Sequence, residues 1–282
     1  MEFAPKALVT GGSSGIGQGI AIVLAEHGYD VAITYSSRPE GAEATCEKIR
    51  ALGQKAYMYQ QEMSDPDAAP IVVAKAVKDL GYLTLMVNNA GRTIHHSALT
   101  ITAEQMDYLY GLNFRSYILG AGAAARNMVK NGIKGSIIFT TSTRGERAYA
   151  QDLIYGGLKA GINRACQSIA LDLAPYGIRV NCVAPGATIT NESRPITGHP
   201  LADAIPLGRM GTPRDDGELV AFLASDKATY ITGTTIRVDG GLVLSGLNEN
   251  SRDGGIVVNQ THPGWFERIK KELEEYEEEH EL

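Results

Sequence analysis

Lys6-Ala-Leu-Val-Thr-Gly-Gly-Ser-Ser-Gly-Ile-Gly-Gln-Gly-Ile-Ala-Ile-Val-Leu-Ala-Glu-His27 is the stretch whose reading decides the fold. Lys6 to Thr10 has the length and apolarity of a buried strand. Gly11 to Gly17 is a glycine-rich turn, and Gln18 to His27 has helical periodicity closed by Gly28. A strand, a glycine turn and a helix start together form a phosphate cradle: backbone N–H groups point outward, the helix dipole favours anions, and glycines let a pyrophosphate approach the main chain. Gly11, Ser13, Ser14, Gly15, Ile16 and Gly17 are the residues placed to contact such a ligand. The spacing is Gly-x-x-x-Gly-x-Gly and not the general Gly-x-Gly-x-x-Gly, so the ligand reading rests on the turn's position directly after the first strand.

Outward from this unit the alternation of strand and helix continues. Strands are expected at Asp30–Tyr35, Lys55–Gln60, Leu83–Asn88, Ser136 to Ser142, Ile178–Val183 and Thr234–Val238. Helices are expected at Glu40–Leu52, Pro66–Leu80, Ala103–Asn131, Leu153–Tyr176 and Pro213–Ala224. Seven strands, apolar throughout and alternating with helices, specify an α/β chain with one doubly wound parallel sheet covered on both faces. Such a sheet holds its ligand in the crevice beyond the carboxyl ends of its strands, where Asn88-Asn-Ala-Gly91, Ser142 and Pro185-Gly186 would join the glycine turn.

The segment after the second strand bears on cofactor choice. An acid about 20 residues beyond the glycines receives a ribose 2′-hydroxyl, whereas an arginine accommodates a 2′-phosphate. This chain has Ser36-Ser37-Arg38 there and no acid until Glu40. Two hydroxyls and a guanidinium attract a phosphate that a carboxylate would repel, so the expectation is NADP, with NAD possible. The plain alternative is that Ser36 to Pro39 only turns the chain into the next helix.

Ser142, Tyr155 and Lys159 bring a hydroxyl, a phenol and an ammonium to the same region. Tyr155 and Lys159 lie four apart on one helical face, so the positive charge is expected beside the phenol, favouring phenolate and lowering a pKa that starts near 10. Tyr-x-x-x-Lys alone is weak, because the same spacing makes an ordinary surface pair. The surrounding residues give it weight.

With 282 residues, 44% of them hydrophobic, the chain can bury one large α/β core. A formal net charge of −6 gives no basic excess to suggest nucleic acid or an anionic membrane as partner. Cys46, Cys166 and Cys182 are odd in number and lack metal-ligand spacing, which predicts buried free thiols, no metal and a reducing cytoplasm. The N-terminus shows no leader pattern and no segment reaches the roughly 18 apolar residues of a membrane span, so a soluble cytoplasmic protein is expected.

The glycine turn, Asn88-Asn-Ala-Gly91, Asn113, Ser142, Tyr155-x-x-x-Lys159, Pro185-Gly186 and Val238-Asp-Gly-Gly241 occur in one order over residues 5 to 244. This conjunction resembles the short-chain dehydrogenase/reductase family. The resemblance implies a single Rossmann-type NAD(P)-binding domain, residues 1 to 245, that moves hydride between a nicotinamide and an alcohol or carbonyl carbon. It implies Tyr155 as general acid/base and Lys159 as the group that lowers its pKa and bonds the nicotinamide ribose. Ser142 would hold the substrate oxygen, and Asn113, in a kink of the long helix, would position a proton-relaying water. Asn89, Ala90, Gly91, Pro185, Gly186, Thr188 and Thr190 would contact the cofactor. Glu62-Met63 stands where the family commonly has Asp-Val to receive the adenine. The resemblance also implies a homotetramer.

Substrate-side loops read Arg92-Thr-Ile-His-His96, Arg144-Gly-Glu-Arg147 and Asn191 to His199, polar and locally basic, which suits a sugar, polyol or small ketone better than a long acyl chain. A 3-oxoacyl thioester reductase is the alternative, disfavoured by Tyr176 where such reductases carry an arginine before Gly177. A non-catalytic dinucleotide sensor is a third reading, at odds with the retention of Ser142, Tyr155, Lys159 and Asn113 together. After Leu244, residues 246 to 282 form a C-terminal extension in which Phe266, Ile269, Leu273 and Tyr276 would make the apolar stripe of an acidic amphipathic helix.

Overall fold

The computed structural model describes residues 3–190, 200–244 and 274. Seven parallel strands form its sheet: β1 (Lys6–Val9), β2 (Asp30–Tyr35), β3 (Ala56–Gln60), β4 (Leu85–Asn88), β5 (Ser136–Thr140), β6 (Arg179–Pro185) and β7 (Thr235–Val238). Their order is β3-β2-β1-β4-β5-β6-β7, so the direction of winding reverses between β1 and β4. Register is continuous across that seam, with Leu8 opposite Met86 and opposite Ala32 on the other side.

The strands are apolar on both faces because both faces are covered. Leu8, Met86, Ile137, Phe139 and Val180 point to one layer, packed by helices α3 (Ala68–Leu80), α5 (Ser116–Asn131) and α6 (Leu153–Leu173). Val9, Val31, Ile33, Val87 and Ile138 point to the other, covered by α1 (Gly15–Glu26), α2 (Pro39–Ala51) and α8 (Pro213–Ala224). At roughly 2 kcal/mol for each fully buried aliphatic side chain, this packing outweighs what the helix ends supply. Helix α1 shows the balance: its N-cap Ser14 makes no side-chain cap bond, yet Ile20, Ala21 and Leu24 are wholly buried.

The expected parallel sheet with helices on both faces is the observed one, and most element ends move by one to three residues. Helix α1 begins at Gly15, three residues before the periodic run, because Gly15 and Gly17 can pack where side chains cannot. The expected long helix from Ala103 to Asn131 divides into α4 (Ala103–Tyr110), a π turn (Gly111–Arg115) and α5, with the amide of Ser116 reaching back five residues to the Gly111 carbonyl. Helix α4 starts with a capping box between Thr102 and Gln105. The short helix α7 (Pro200–Asp203) has no counterpart in the sequence reading. Cys46, Cys166 and Cys182 are free and buried, as expected. Residues 246 to 273 and 275 to 282, where the amphipathic helix is expected, lie outside the described residues, as do Asn191 to His199. No helix among the described residues is long and apolar enough to cross a membrane.

One carboxyl sits where the core would favour an aliphatic side chain. Asp216, on α8, is fully buried; its Oδ2 accepts from the Thr188 hydroxyl at 3.4 Å, and its Oδ1 has no hydrogen-bond partner among the described residues. Burial pushes this carboxyl up to about 8, against the Thr188 hydrogen bond and with help from neighbouring Asp215. The folded chain therefore binds this proton more tightly than the unfolded chain, whose carboxyl titrates near 4, so stability falls as pH rises from about 4 to about 8. Asp216→Asn should flatten that slope, adding about 1–3 kcal/mol at pH 8 and little at pH 5. Thermal melts of both proteins across this range check it; parallel pH dependences would contradict it.

Candidate active site

The crevice opens at the β1–β4 seam because the two strand ends are tied there. Thr10 Oγ1 accepts from the amides of Asn89 and Ala90, both at 2.9 Å, and Asn89 Nδ2 donates to Thr10 O at 2.9 Å. Thr34 holds the glycine turn from the other side, its Oγ1 accepting from Gly11 N at 3.0 Å and its carbonyl from Gly12 N at 2.9 Å. The glycines are demanded by contact. A Cβ at Gly17 would lie 2.2 Å from Gly11 O and 2.4 Å from Asn89 Nδ2, and Gly11 combines φ +70° with a Cβ position 2.9 Å from Ala90 Cα. The turn thus lies against the segment that follows β4 and leads directly into α1.

A cleft of about 1090 Å³ runs along these strand ends. That exceeds the ~300–1,000 Å³ of most small-ligand pockets and leaves room for a dinucleotide beside a small substrate. Of the residues read from the turn, Gly11, Ser13, Ser14, Gly15, Ile16 and Gly17 line it. Ser36, Ser37 and Arg38 line its far end, and Glu62, Met63, Asn89, Ala90 and Gly91 its floor. Ser142, Tyr155 and Lys159 stand at the other end, Pro185 and Gly186 also line the cleft, and Thr190 lines it beside Gly15. A chamber walled by glycine backbone and amide groups at one end and by hydroxyls and an ammonium at the other fits a dinucleotide's pyrophosphate and sugars.

One expected cofactor contact is placed elsewhere. Thr188 is absent from the cleft wall: its hydroxyl turns inward to Asp216, whose buried carboxyl needs a donor more than the solvated cleft does. Asn113 lies in the π turn, wholly buried, with Nδ2 donating to Leu109 O at 3.2 Å and Arg92 O at 3.0 Å, and Oδ1 accepting from Arg92 N at 3.3 Å. Its side chain therefore supports the segment after β4 from behind. Gly91 separates it from the cleft lysine: a Cβ there would be 2.7 Å from Asn113 Oδ1 and 3.6 Å from Lys159 Nζ. Glu62 keeps its carboxylate near the cleft, but Oε1 folds back to accept from Ser64 N at 3.1 Å and Ser64 Oγ at 3.0 Å.

Sequence reasoning passed over several wall residues, among them Thr34, Tyr35, Gln61 and Tyr108. Thr34 and Tyr35 end β2 as Thr10 ends β1, so proximity to a strand's carboxyl end was the available signal. Tyr108 carries no such signal, since its place follows from how α4 packs.

Ser142 is the last extended residue after β5, and its Oγ accepts from Arg144 N at 3.2 Å. Tyr155 lies in the first turn of α6, its phenol hydrogen-bonded by Ser142. Lys159 follows one turn on, with Nζ 5.4 Å from the Tyr155 ring centre. The expectation that the ammonium lowers the phenol's pKa is not what dominates. Burial raises Tyr155, the Ser142 hydrogen bond opposes this, Asp152 adds to it and Arg144 opposes it. Burial also brings Lys159 down to about 7, partly countered by Cys182. Both groups are desolvated together, and burial is the largest influence on each.

The substrate side is already internally paired. Arg144 Nη1 lies 3.1 Å from the buried Asp152 Oδ2, and its guanidinium stacks on Tyr149 at 4.6 Å. Thr93 Oγ1 donates to Asp152 Oδ1 at 3.4 Å, His96 Nε2 meets Gln105 Nε2 at 2.9 Å, and Glu146 binds Arg237. Gln151, at φ +61°, makes the turn that places Asp152 at the head of α6. Of the basic residues expected to face substrate, Arg92 alone among the described residues lines the cleft.

Comparison with known proteins agrees with this site. The family model adh_short_C2, described as enoyl-(acyl carrier protein) reductase, matches residues 11–243. The chain is 37% identical over 247 residues to an L-rhamnose 1-dehydrogenase (NAD(P)(+)) of Sphingomonas sp. (strain SKA58), covering 84% of this chain and 96% of that one. It is 36% identical to a 3-oxoacyl-[acyl-carrier-protein] reductase of Staphylococcus aureus, covering 86% of this chain and 100% of the relative. Among solved structures, the acetoin dehydrogenase of Salmonella typhimurium superposes with a TM-score of 0.83 at 31% identity, over 88% of this chain and 99% of that one. A Burkholderia cenocepacia short chain dehydrogenase in complex with NADP gives 0.77 at 36% identity, over 84% and 96%. With its seven-stranded sheet, its glycine cradle and its Ser142, Tyr155 and Lys159 at one end of the cleft, the chain belongs to the short-chain dehydrogenase/reductase family.

Proposed function

We propose that this enzyme prefers NADP(H) and acts on a small polar alcohol or carbonyl compound, with Tyr155 as its general acid/base. Membership of the family makes it an NAD(P)-dependent oxidoreductase acting on CH–OH groups. The single observation that carries the finer reading is the cleft itself, with Ser36, Ser37 and Arg38 at one end and Ser142, Tyr155 and Lys159 at the other.

A bound nicotinamide supplies or accepts the hydride, and the chain's own residues do the rest. Ser142, its Oγ already accepting from Arg144 N, donates to the substrate oxygen and orients it. Tyr155 donates its proton to that oxygen in reduction and takes it back in oxidation. Lys159 supplies the nearby charge that lets the phenol exchange a proton and holds the ribose side of the cofactor. The polar wall at Arg92 favours hydroxylated substrates over long acyl chains. The 3-oxoacyl thioester reading rests on the Staphylococcus aureus relative. Against it, the position before Gly177 is the half-exposed phenol of Tyr176, which offers no charge to an acidic carrier. We further propose assembly as a homotetramer with the C-terminal extension contributing to it; deletion of residues 247 to 282 should reduce the sedimenting species or its melting temperature.

Tyr155→Phe should lower kcat by about 10²–10⁴ while leaving NADPH binding in place, since only the transferable proton is removed. Steady-state rates on rhamnose, glucose, acetoin and a 3-oxoacyl thioester, with nicotinamide fluorescence for binding, check this. Faster turnover of the thioester than of every sugar and ketone would reverse the substrate assignment. Arg38→Asp should weaken NADPH about tenfold or more and improve NADH, the effect of exchanging a charge-assisted hydrogen bond for repulsion. Because burial raises the Tyr155 phenol, kcat/KM for oxidation should climb with pH through neutrality whereas reduction levels or falls. Flat profiles in both directions would exclude the phenol as the titrating group.

A further inference from the structure

Tyr117 is a second buried phenol at this site, on the side of Lys159 away from the cleft. It stands in the first turn of α5, directly after the π turn, and is 1% exposed. Lys159 Nζ donates to Tyr117 Oη at 2.9 Å and to Thr140 O at 2.9 Å, and the Tyr117 hydroxyl itself donates to Thr140 O at 3.2 Å. The ammonium also lies 4.4 Å from the centre of the Tyr117 ring, nearer than the 5.4 Å to that of Tyr155. Ring stacking on Phe139, with centroids 6.0 Å apart and planes 18° apart, fixes the phenol from behind.

An ammonium has three N–H bonds in tetrahedral array. Two point into the wall, so the third is set in direction and faces the cleft that Lys159 lines. We propose that Tyr117 is a positioning residue for Lys159: its hydroxyl accepts one ammonium proton, supports the charge where solvent does not reach, and aims the remaining N–H at the cofactor ribose and Tyr155. This rests on the reading of Lys159 as partner of Tyr155. The chemistry follows from the surroundings. Burial pulls Lys159 down to about 7, so near neutrality its charge depends on each acceptor it keeps. Burial also pushes the Tyr117 phenol far up, with Tyr155 adding to the effect, so Tyr117 stays protonated and donates to Thr140 O while accepting from Lys159.

The groups around this lysine are few. Cys182 on β6 and Tyr155 on its own helix are the titratable neighbours, and Asn113 approaches across Gly91. Tyr117 is therefore the uncharged acceptor whose removal changes the lysine without introducing or deleting an ion. The loss of one acceptor makes the ammonium easier to deprotonate, and a weaker positive charge raises the phenol's working pKa.

Tyr117→Phe keeps the ring and its stacking and removes only the hydroxyl; Tyr117→Leu also removes the ring face. Each is compared with the full-length wild type in three measurements: the pH dependence of kcat/KM for oxidation, the NADPH dissociation constant by fluorescence at pH 6 to 9, and the melting temperature. The expected result for Tyr117→Phe is an alkaline displacement of the oxidation limb by about one pH unit, the loss of one hydrogen bond to a charged group. NADPH binding should weaken severalfold, and Tyr117→Leu should move both readouts at least as far. If limb and dissociation constant coincide with wild type, whether or not the melting temperature falls, Tyr117 serves packing alone and the proposal is overturned. Tyr155→Phe measured in parallel separates the two readings: full turnover by that variant would refute the general-acid assignment, while the NADPH constants would still decide Tyr117.

Discussion

Everything functional in this molecule depends on the tie between Thr10 and Asn89. A doubly wound sheet splits open wherever its winding reverses, and the split has to be wide enough for a ligand yet fixed in width. Here one threonine hydroxyl takes two amides of the next strand's exit, and the asparagine amide returns a bond to the threonine carbonyl. The glycine turn then lies against that tie at distances no side chain would survive. Cradle, cleft floor and catalytic end are thus all referred to one seam, and the helices behind it are held chiefly by apolar packing.

The catalytic end is governed by a contest between burial and charge. Desolvation raises one group and lowers the other, so a phenol and an amine whose ordinary values both lie near 10 are moved apart, each toward its uncharged form. Neutral dipoles decide the remainder: Ser142 on the phenol, Thr140 and Tyr117 on the amine. The site is therefore tuned more by hydroxyl and carbonyl oxygens than by ion pairs. The ion pair of Arg144 with Asp152 stands at the substrate side, and its two partners move the phenol in opposite directions.

Much of this was legible in the sequence because it depends on local period and punctuation. Apolar runs of strand length, glycines at the turn, and the four-residue step from Tyr155 to Lys159 carry their geometry with them. The misses arise where tertiary contact decides. Nothing in the run from Ala103 to Asn131 announces a π turn, since one extra residue per turn leaves composition unchanged. The family resemblance implies Thr188 as a cleft residue, and only the buried carboxyl of Asp216, distant in sequence, explains why it faces inward. Tyr117 reads as one more aromatic on an apolar helical face, and its bond to Lys159 exists only because β5 and α6 bring Thr140 and Lys159 to the same place.

Gly91 has a consequence for how this enzyme can vary. Between Asn113 and Lys159 the smallest side chain at Gly91 would already meet the asparagine oxygen at 2.7 Å. Positions with graded tolerance allow a protein to drift through intermediates of slightly altered size, but here there is no intermediate to pass through. Size at this position is therefore set by the asparagine oxygen on one side and the lysine on the other.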